Sequence, residues 1–234
     1  MQRYFAVNKC NDKMILDVSD LHHICNVMRM KSGEFIEVVF EHVLYRCKVV
    51  IDNDVSVVID SVIDSSEDSR EIVLVVPVLK EQKMDLVLQK ATELGVSRII
   101  PIICERCVVK LNDKESRKID RWKRIVKEAS EQCKRISVPI IDNVSCISSL
   151  NFSEGVKLVC STRENEKNLK NVMHNIFNCA KMYIVVGPEG GLSIEEEKKL
   201  NDLGFVSISL GKRIMRVETV PLFVLSILNY ELME

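Results

Sequence analysis

The stretch Tyr183-Ile184-Val185-Val186-Gly187-Pro188-Glu189-Gly190-Gly191-Leu192-Ser193 decides the fold of this chain. Its apolar run predicts a buried strand, and the glycines predict a turn in which no Cβ keeps a ligand away from the backbone. Ser193 is followed three residues later by Glu196, a capping box that predicts the start of a helix. In open α/β sheets ligands lie beyond the carboxyl ends of the strands, so this turn is a candidate ligand site.

A tight turn without a ligand is the alternative for an isolated pair of glycines. A dinucleotide-binding Rossmann turn and a P-loop are both excluded, because neither G-x-G-x-x-G nor G-x-x-x-x-G-K-[ST] occurs in the sequence.

The second informative stretch also leads from an apolar strand into a helix. It reads Ser209-Leu210-Gly211-Lys212-Arg213-Ile214-Met215-Arg216-Val217-Glu218-Thr219-Val220-Pro221. Arg213, Arg216 and Glu218 concentrate charge beside apolar residues. A solvated loop is the alternative, but this segment lies between a buried strand and a nearly all-apolar helix, which favours a functional loop.

Around these stretches the sequence predicts a parallel α/β domain over residues 72–234. Apolar strands alternate with helical periodicity, which is typical of a parallel sheet covered by helices on both faces. The predicted strands are 72–79, 98–103, 138–141, 156–160, 182–186 and 206–210, and the predicted helices are 84–94, 115–136 and one that begins near Pro221. That last helix is apolar on several sides, which indicates a further buried surface such as a subunit interface.

The first part of the chain has a different pattern. Residues 35–40, 43–51 and 55–63 form short alternating runs between polar turns, which predicts a small antiparallel β-barrel in residues 1–68. The polar stretch 64–71 has nothing apolar to bury and is the predicted linker.

Composition limits the class of protein. With 47% hydrophobic and 29% charged residues, the chain is expected to fold as a globular protein. No secretory signal or membrane span is apparent, so we expect a cytoplasmic protein whose nine cysteines are reduced. Cys104 and Cys107 form the one Cys-x-x-Cys pair, which lacks the further ligands of a zinc site, so no metal is predicted. A redox role is the less favoured alternative.

The distribution of charge is uneven. The formal net charge is −1, so any nucleic-acid surface must be local. Residues 106–135 contain 11 Lys and Arg against 5 Asp and Glu, most of them on a predicted helix. A solvated helix face is the usual meaning of such a run, and an RNA-binding face is the alternative.

Taken together, these segments resemble the RsmE family, which methylates N3 of a uridine in 16S ribosomal RNA and belongs to the SPOUT class of knotted methyltransferases. The resemblance extends over nearly the whole chain and is most specific in the two stretches quoted above. Further matching segments are Arg3-Tyr4-Phe5, residues 22–29 with Gly33, residues 90–96, residues 101–107, Arg121-Trp122, Glu128-Ala129, residues 131–135 and Pro139. Departures are small: Met28 and Met215 stand where the family usually has Leu, and Val220 where Ala or Thr is common.

The resemblance implies a PUA-like β-barrel for RNA, a SPOUT domain with a parallel sheet and a C-terminal trefoil knot, and a homodimer. It implies S-adenosylmethionine (SAM) as cofactor and 16S rRNA, within the assembled or assembling small subunit, as partner in ribosome biogenesis. The residues implied to bind SAM are Ser161, Thr162, Gly187, Pro188, Glu189, Gly190, Gly191, Ser209, Leu210, Gly211, Arg213, Ile214 and Met215.

Uridine N3 carries a proton at neutral pH, so methylation needs a base or a group that stabilises the anion. Glu218 is the candidate base. Arg216 is the candidate to hold the uridine as an anion or to grip a phosphate, and a salt bridge between these two residues is the alternative. The candidates for phosphate contacts are Arg3, Arg29, Arg106 and Arg135. A non-catalytic RNA-binding assembly factor and a SPOUT ribose 2′-O-methyltransferase are the alternative functions.

Overall fold

The computed structural model describes residues 1–63, 70–109, 115–177 and 179–232. The chain divides into two compact units, one formed by residues 1–68 and 127–138 and the other by residues 69–126 and 139–234. Most of the predicted linker, residues 64–69, lies outside the described residues.

The first unit contains a curled six-stranded sheet. Its strands are β1 (Arg3–Phe5), β2 (Asn8–Cys10), β3 (Lys13–Ile15), β4 (Phe35–Phe40), β5 (Val43–Ile51) and β6 (Val55–Ile63), in the order β1-β4-β5-β6-β3-β2. The two end strands are separated by only Ala6 and Val7, so the edges of the sheet must meet. The Ala6 N–H donates to Val39 O at 2.9 Å and the Val7 N–H to Ile15 O at 2.8 Å, which closes a small barrel.

The prediction of an antiparallel barrel is confirmed for most of its strand pairs and wrong for one. The bounds of β4, β5 and β6 are those predicted, and these strands pair antiparallel. However, β1 pairs parallel with β4, with Arg3 opposite Glu37. Parallel pairing needs a long crossover, which β2, β3, α1 (Val18–His22) and a turn of π-helix (His23–Val27) supply. A three-residue strand is too short for its alternation to reveal this.

The second unit is built on a parallel sheet, as predicted. Its strands are β7 (Glu71–Pro77), β8 (Arg98–Ile103), β9 (Ile140–Ile141), β10 (Ser145–Cys146), β11 (Val156–Cys160), β12 (Lys181–Val186) and β13 (Val206–Ile208). Their order is β10-β8-β7-β12-β11-β13, with β9 also paired to β8. Its helices are α2 (Glu81–Glu93), the greater part of α3 (Glu115–Gln132), α4 (Leu169–Phe177), α5 (Ile194–Asp202) and α6 (Thr219–Leu232), and the residues of α3 from Lys127 onward belong to the first unit.

The helix predicted over residues 115–136 ends earlier, at Gln132. Two residues later Lys134 has a φ of +65°, a left-handed conformation that a helix cannot contain. The apolar spacing continues past this point through Cys133 and Ile136, so the pattern alone could not show the stop. In the last helix the start is two residues earlier than predicted, and Pro221 is tolerated there because the first-turn N–H groups have no partner within a helix.

Several predicted strands differ at their ends. The strand predicted over 138–141 is only Ile140–Ile141, the one predicted over 206–210 ends at Ile208, and the one predicted over 72–79 is Glu71–Pro77. Over the described ranges, no helix combines the length and apolar character needed to cross a bilayer.

Candidate active site

Three loops meet at one edge of the parallel sheet in the second unit. Strands β12, β11 and β13 are neighbours and run in the same direction, so their carboxyl ends lie side by side. The loops that follow them, residues 161–168, 187–192 and 209–218, surround a cavity of about 750 Å³ together with Lys83 of α2. This volume is in the range of small-molecule sites in proteins.

The structure brings all the sequence-predicted cofactor residues together around this cavity. Its lining includes Ser161, Thr162, Gly187, Pro188, Glu189, Gly190, Gly191, Ser209, Leu210, Gly211, Arg213, Ile214 and Met215. Their contact with a cofactor stays a prediction.

Glycine fits closely at two positions of the turn after β12. A Cβ on Gly187 would lie 3.1 Å from both the backbone nitrogen and Cγ of Leu192. A Cβ on Gly190 would lie 3.1 Å from Cβ of Arg106. Both distances are tighter than ordinary van der Waals contact, so a side chain at either position would require its neighbour to shift by a few tenths of an ångström.

A capping box fixes the start of α5, as predicted. The Glu196 N–H donates to Ser193 Oγ at 3.2 Å, and the Ser193 N–H donates to Glu196 Oε2 at 2.8 Å. The second oxygen of the same carboxylate accepts a hydrogen bond from the Glu105 N–H at 2.8 Å. Glu196 therefore ties the turn after β12 to the segment that follows β8.

Backbone hydrogen bonds join the first and third loops. The Ser161 N–H donates to Ile208 O at 3.0 Å, and the Ser209 N–H donates to Lys167 O at 2.7 Å. The Leu169 N–H donates in turn to Ser209 O at 3.3 Å. These bonds hold two walls of the cavity in register.

A side-chain network joins the first loop to the second. Arg163 donates through Nη2 to Leu192 O at 2.7 Å, and its Nη1 lies 2.5 Å from Glu197 Oε2. The other oxygen of Glu197 accepts from Ser207 Oγ of β13 at 3.2 Å. Arg163 and Glu197 together thus connect the first loop to the second loop and to β13.

Lys83, which the sequence patterns did not single out, reaches the two most informative stretches of the sequence. Its Nζ lies 3.0 Å from Glu218 Oε2 and 3.4 Å from Glu189 Oε1. Lys83 lies in the first turn of α2, which begins just after β7, and β7 is the neighbour of β12 in the sheet. Its position shortly after a predicted strand was the feature of the sequence that could have identified Lys83. By sequence alone, however, Lys83 is one of several polar residues in an amphipathic helix.

The pKa of Glu218 is lowered. Burial would raise it, but the residue's own backbone N–H, the Lys83 ammonium and the nearby Arg216 outweigh that effect. A carboxylate whose pKa is lowered binds a proton weakly and is a poorer general base. The salt bridge of Glu218 is with Lys83, whereas Arg216 is exposed and acts on it as a neighbouring charge.

Arg3, a candidate for phosphate contact, is buried in the first unit. Its Nε donates to Glu37 Oε2 at 2.9 Å, and its guanidinium also donates to the carbonyl oxygens of Lys134 and Arg135. These contacts and its 8% exposure argue against a phosphate contact by this side chain.

The other three arginine candidates have different surroundings. Arg29 is exposed and has a φ of +52°. Arg135, in the first unit, donates to Ser137 Oγ at 3.0 Å. Arg106, in the second unit, is exposed and donates to Gly190 O at 3.1 Å, which places a cationic side chain beside the turn after β12.

Cys104 and Cys107 lie directly after β8. The Cys104 N–H donates to Cys107 Sγ at 3.1 Å. The hydrogen bond between the two thiols lowers the pKa of Cys107 to about 7 and raises the pKa of Cys104. Within the part of the chain that the structure describes, no group of three or more His, Cys, Asp or Glu residues is placed to hold a metal ion.

Comparisons with known proteins agree with this architecture. The sequence matches the family model of an RNA methyltransferase domain over residues 66–229 and that of an RNA methyltransferase PUA domain over residues 16–60. The ribosomal RNA small subunit methyltransferase E of Bacillus subtilis (strain 168) is 33% identical, over 99% of this chain and 97% of its own length.

Two solved structures have a similar fold over their whole length. One is a protein from Legionella pneumophila in complex with the bound cofactor SAM, with 28% identity, a TM-score of 0.90 and coverage of 99% of this chain and 98% of that one. The other is the ribosomal RNA small subunit methyltransferase E from Neisseria gonorrhoeae bound to S-adenosyl methionine, with 27% identity, a TM-score of 0.86 and coverage of 99% and 98%. Because the match in sequence and fold extends from one end of the chain to the other, the chain belongs to the ribosomal RNA small subunit methyltransferase E family of RNA methyltransferases.

Proposed function

We propose that this chain transfers a methyl group from SAM to N3 of a uridine in the 16S ribosomal RNA of the small subunit. The observation that carries the proposal is the cavity at the joined ends of β11, β12 and β13, which is lined by all the residues that the sequence predicted to bind the cofactor. The two SAM-bound relatives with the same fold support the identity of the methyl donor.

The residues around the cavity fit this donor. SAM supplies an activated methyl group on a sulfonium, and its transfer is an in-line displacement that needs one fixed geometry. The Arg163–Glu197 pair and the backbone bonds around Ser209 brace the loops against movement. Gly187 and Gly190 carry no side chain, so a ligand can closely approach the backbone at these two positions of the turn after β12.

Arg216 and Glu218 have separate roles in this proposal. Arg216 holds the uridine in its anionic form or grips a phosphate through its bidentate guanidinium. Glu218, whose pKa is lowered, remains ionised and anchors Lys83, which is a better fit to its surroundings than the role of general base.

The two side chains are tested by charge-neutral replacement. Arg216→Met should leave SAM affinity nearly intact and abolish methylation in an assay with purified 30S subunits, and Glu218→Gln, which removes an anchor of Lys83, should leave SAM affinity nearly intact and lower methylation without abolishing it. Unchanged turnover in either variant would remove that residue from the mechanism.

Phosphate contacts position the RNA, and the target base must leave its stack to reach the cavity. We assign the phosphate contacts to Arg29, Arg106 and Arg135. Affinity for the ribosomal substrate should then fall steeply as salt is raised, because each neutralised phosphate releases counterions. A flat salt response would contradict this assignment.

The proposal includes the finer architecture of the chain. We take residues 1–68 as the PUA-like RNA-binding barrel and residues 72–234 as the SPOUT domain, with a trefoil knot near its C-terminus. The knot is supported by the path of the chain, which leaves β13 at the edge of the sheet and returns across the ends of β11 and β12 to pack α6 against α2.

A homodimer working in the cytoplasm, where ribosomal subunits are assembled, completes the proposal. One face of α6 is buried within the chain, while Phe223 and Tyr230 of the same helix are exposed, Tyr230 by 71%. Exposed aromatic side chains on an apolar helix fit a subunit interface. Sedimentation at micromolar concentration tests this, and a monomer at all concentrations would contradict it.

Mass spectrometry of ribosomal RNA distinguishes the candidate functions. Cells that lack the gene should lose one N3-methyluridine from 16S rRNA and regain it when the gene is restored. Loss of a ribose methyl group would indicate a 2′-O-methyltransferase, and an unchanged set of modifications would indicate a non-catalytic assembly factor.

A further inference from the structure

Lys83 brings a positive charge into the cavity from outside the three loops. It lies on α2, and its ammonium group lines the cavity beside the turn after β12 and the loop before α6. Its side chain is 32% exposed, so the charge is neither buried in the protein nor fully surrounded by water.

Two carboxylates hold this ammonium in place. Glu218 Oε2 is 3.0 Å away and Glu189 Oε1 is 3.4 Å away, and each comes from a different loop. An ammonium has three N–H donors, and among the described residues one of them donates to Glu189, while the contact with Glu218 is an ion pair. A donor is therefore available for a ligand in the cavity, on a group that is already oriented before the ligand arrives.

Lys83 and the charged groups nearest to it sum to zero charge before a substrate is present. Lys83, Glu189 and Glu218 together carry a charge of −1, and the exposed Arg216 brings the group to neutrality. Besides Lys83, Glu189 and Arg216, the charged residues that line the cavity are Arg163, Glu164, Glu197, Lys212 and Arg213, of which Arg163 and Glu197 are paired with each other. A uracil base that loses its N3 proton adds a negative charge to this site.

On the basis of the proposed function, we propose that Lys83 is a catalytic residue that donates a hydrogen bond to a uracil carbonyl oxygen and stabilises the anionic base. The N3–H bond breaks and the proton leaves to solvent, while the negative charge spreads onto O2 and O4. The N3 electron pair then forms the bond to the methyl carbon, and the carbon–sulfur bond breaks with its electrons passing to sulfur. Lys83 stays protonated throughout.

The carboxylates support this role. The contact with Glu218, and to a lesser extent the one with Glu189, raises the pKa of Lys83 above its usual value. The ammonium therefore keeps its charge at neutral pH. A preorganised donor aimed at developing charge is among the largest contributions to enzymatic rate. Glu189 and Glu218 are positioning residues for it.

The test compares Lys83→Met and Lys83→Arg with wild type, and Lys80→Met serves as the matched control. Lys80 is an exposed lysine three residues earlier, at the N-terminus of the same helix, and it is outside the cavity lining. SAM affinity is measured by calorimetry, and kcat for methylation of purified 30S subunits is measured as a function of pH.

We expect Lys83→Met to lower kcat at neutral pH by roughly 10- to 100-fold, the effect of one hydrogen bond to a charged group, with SAM affinity changed by less than about threefold. The midpoint of the kcat–pH profile should move upward by about 1 to 2 pH units. Without the Lys83 ammonium beside it, the uracil loses its N3 proton less readily. Lys83→Arg should recover part of the rate, and Lys80→Met should match wild type.

Other outcomes overturn the proposal in different ways. Weaker SAM binding with an unchanged pH midpoint would show that Lys83 only ties the two loops together. Unchanged kcat in Lys83→Met would exclude the residue from catalysis while leaving the proposed function intact. A wild-type protein that binds SAM and methylates no RNA would refute both.

Discussion

Replacing Gly187 with alanine should weaken both SAM binding and the fold. The added Cβ would lie 3.1 Å from the backbone nitrogen of Leu192 and 3.1 Å from its Cγ. Leu192 is 4% exposed and packs in the core of the second unit, and its backbone nitrogen, the other atom in contact, belongs to the turn. The strain is therefore relieved by a shift of the turn itself, which is a wall of the cavity.

The size of the effect follows from these contacts. Overpacking by one methyl group costs about 1–3 kcal/mol. For a chain of this length, 1 kcal/mol lowers Tm by about 2–4 °C, so we expect a fall of about 2–12 °C. If SAM binds only to the unshifted turn, the same energy reappears as a loss of affinity, and Kd rises roughly 5- to 150-fold.

The assay pairs calorimetric titration of SAM with a thermal melt of the free protein. Gly204→Ala is the control: Gly204 follows α5 outside the cavity lining, and its φ of +88° makes alanine strained there although a Cβ would meet no atom within 4 Å. Gly204→Ala should lower Tm and leave SAM affinity unchanged. A Gly187→Ala variant with wild-type Kd would refute the idea that this turn forms the SAM site.

Three further predictions concern the stability of the individual units. Asp20→Asn should lower the free energy of unfolding by about 1–3 kcal/mol, because both oxygens of the buried Asp20 carboxylate accept hydrogen bonds from Lys127 at 2.8 Å. A urea titration measures this change, and an unchanged midpoint would contradict the prediction. The pKa of Glu37 is lowered, because its contacts with Arg3 and Lys134 outweigh the effect of its burial. The ionised form therefore stabilises the fold at neutral pH, and this contribution is lost as the pH falls below about 4.5. The difference in Tm between wild type and Glu37→Gln should accordingly shrink in acid, and a constant difference would count against the pairing. Ser193→Ala should lower stability by about 1 kcal/mol through loss of the helix cap, as measured by chemical denaturation, and an unaltered stability would show that the cap is not needed.

The sequence was most informative where the local pattern and the tertiary environment agree. The alternation in residues 35–63 is set by a sheet with one buried face, and the three strands have the predicted bounds. The capping box of Ser193 and Glu196 uses only contacts within four residues, so it could be read directly from the sequence. The glycine turn beside it was predicted for the same reason.

The remaining features depend on contacts between distant parts of the chain. The parallel pairing of β1 was missed because Arg3–Phe5 has only three residues, and its partner strand lies more than 30 residues away. The buried position of Arg3 depends on the same pairing, which sets it opposite Glu37. Lys83 was missed because it is separated from Glu218 by the greater part of the second unit, and it becomes a site residue only when β7 and β12 are neighbours.

The central claim is that the loops following β11, β12 and β13 together form the binding site of the methyl donor. The most direct test is calorimetric titration of the purified chain with SAM, repeated with the Gly187→Ala variant. We predict saturable binding of one SAM per chain to the wild type and clearly weaker binding to the variant. No heat of binding at millimolar SAM, from a protein shown to be folded by its thermal melt, would contradict the account.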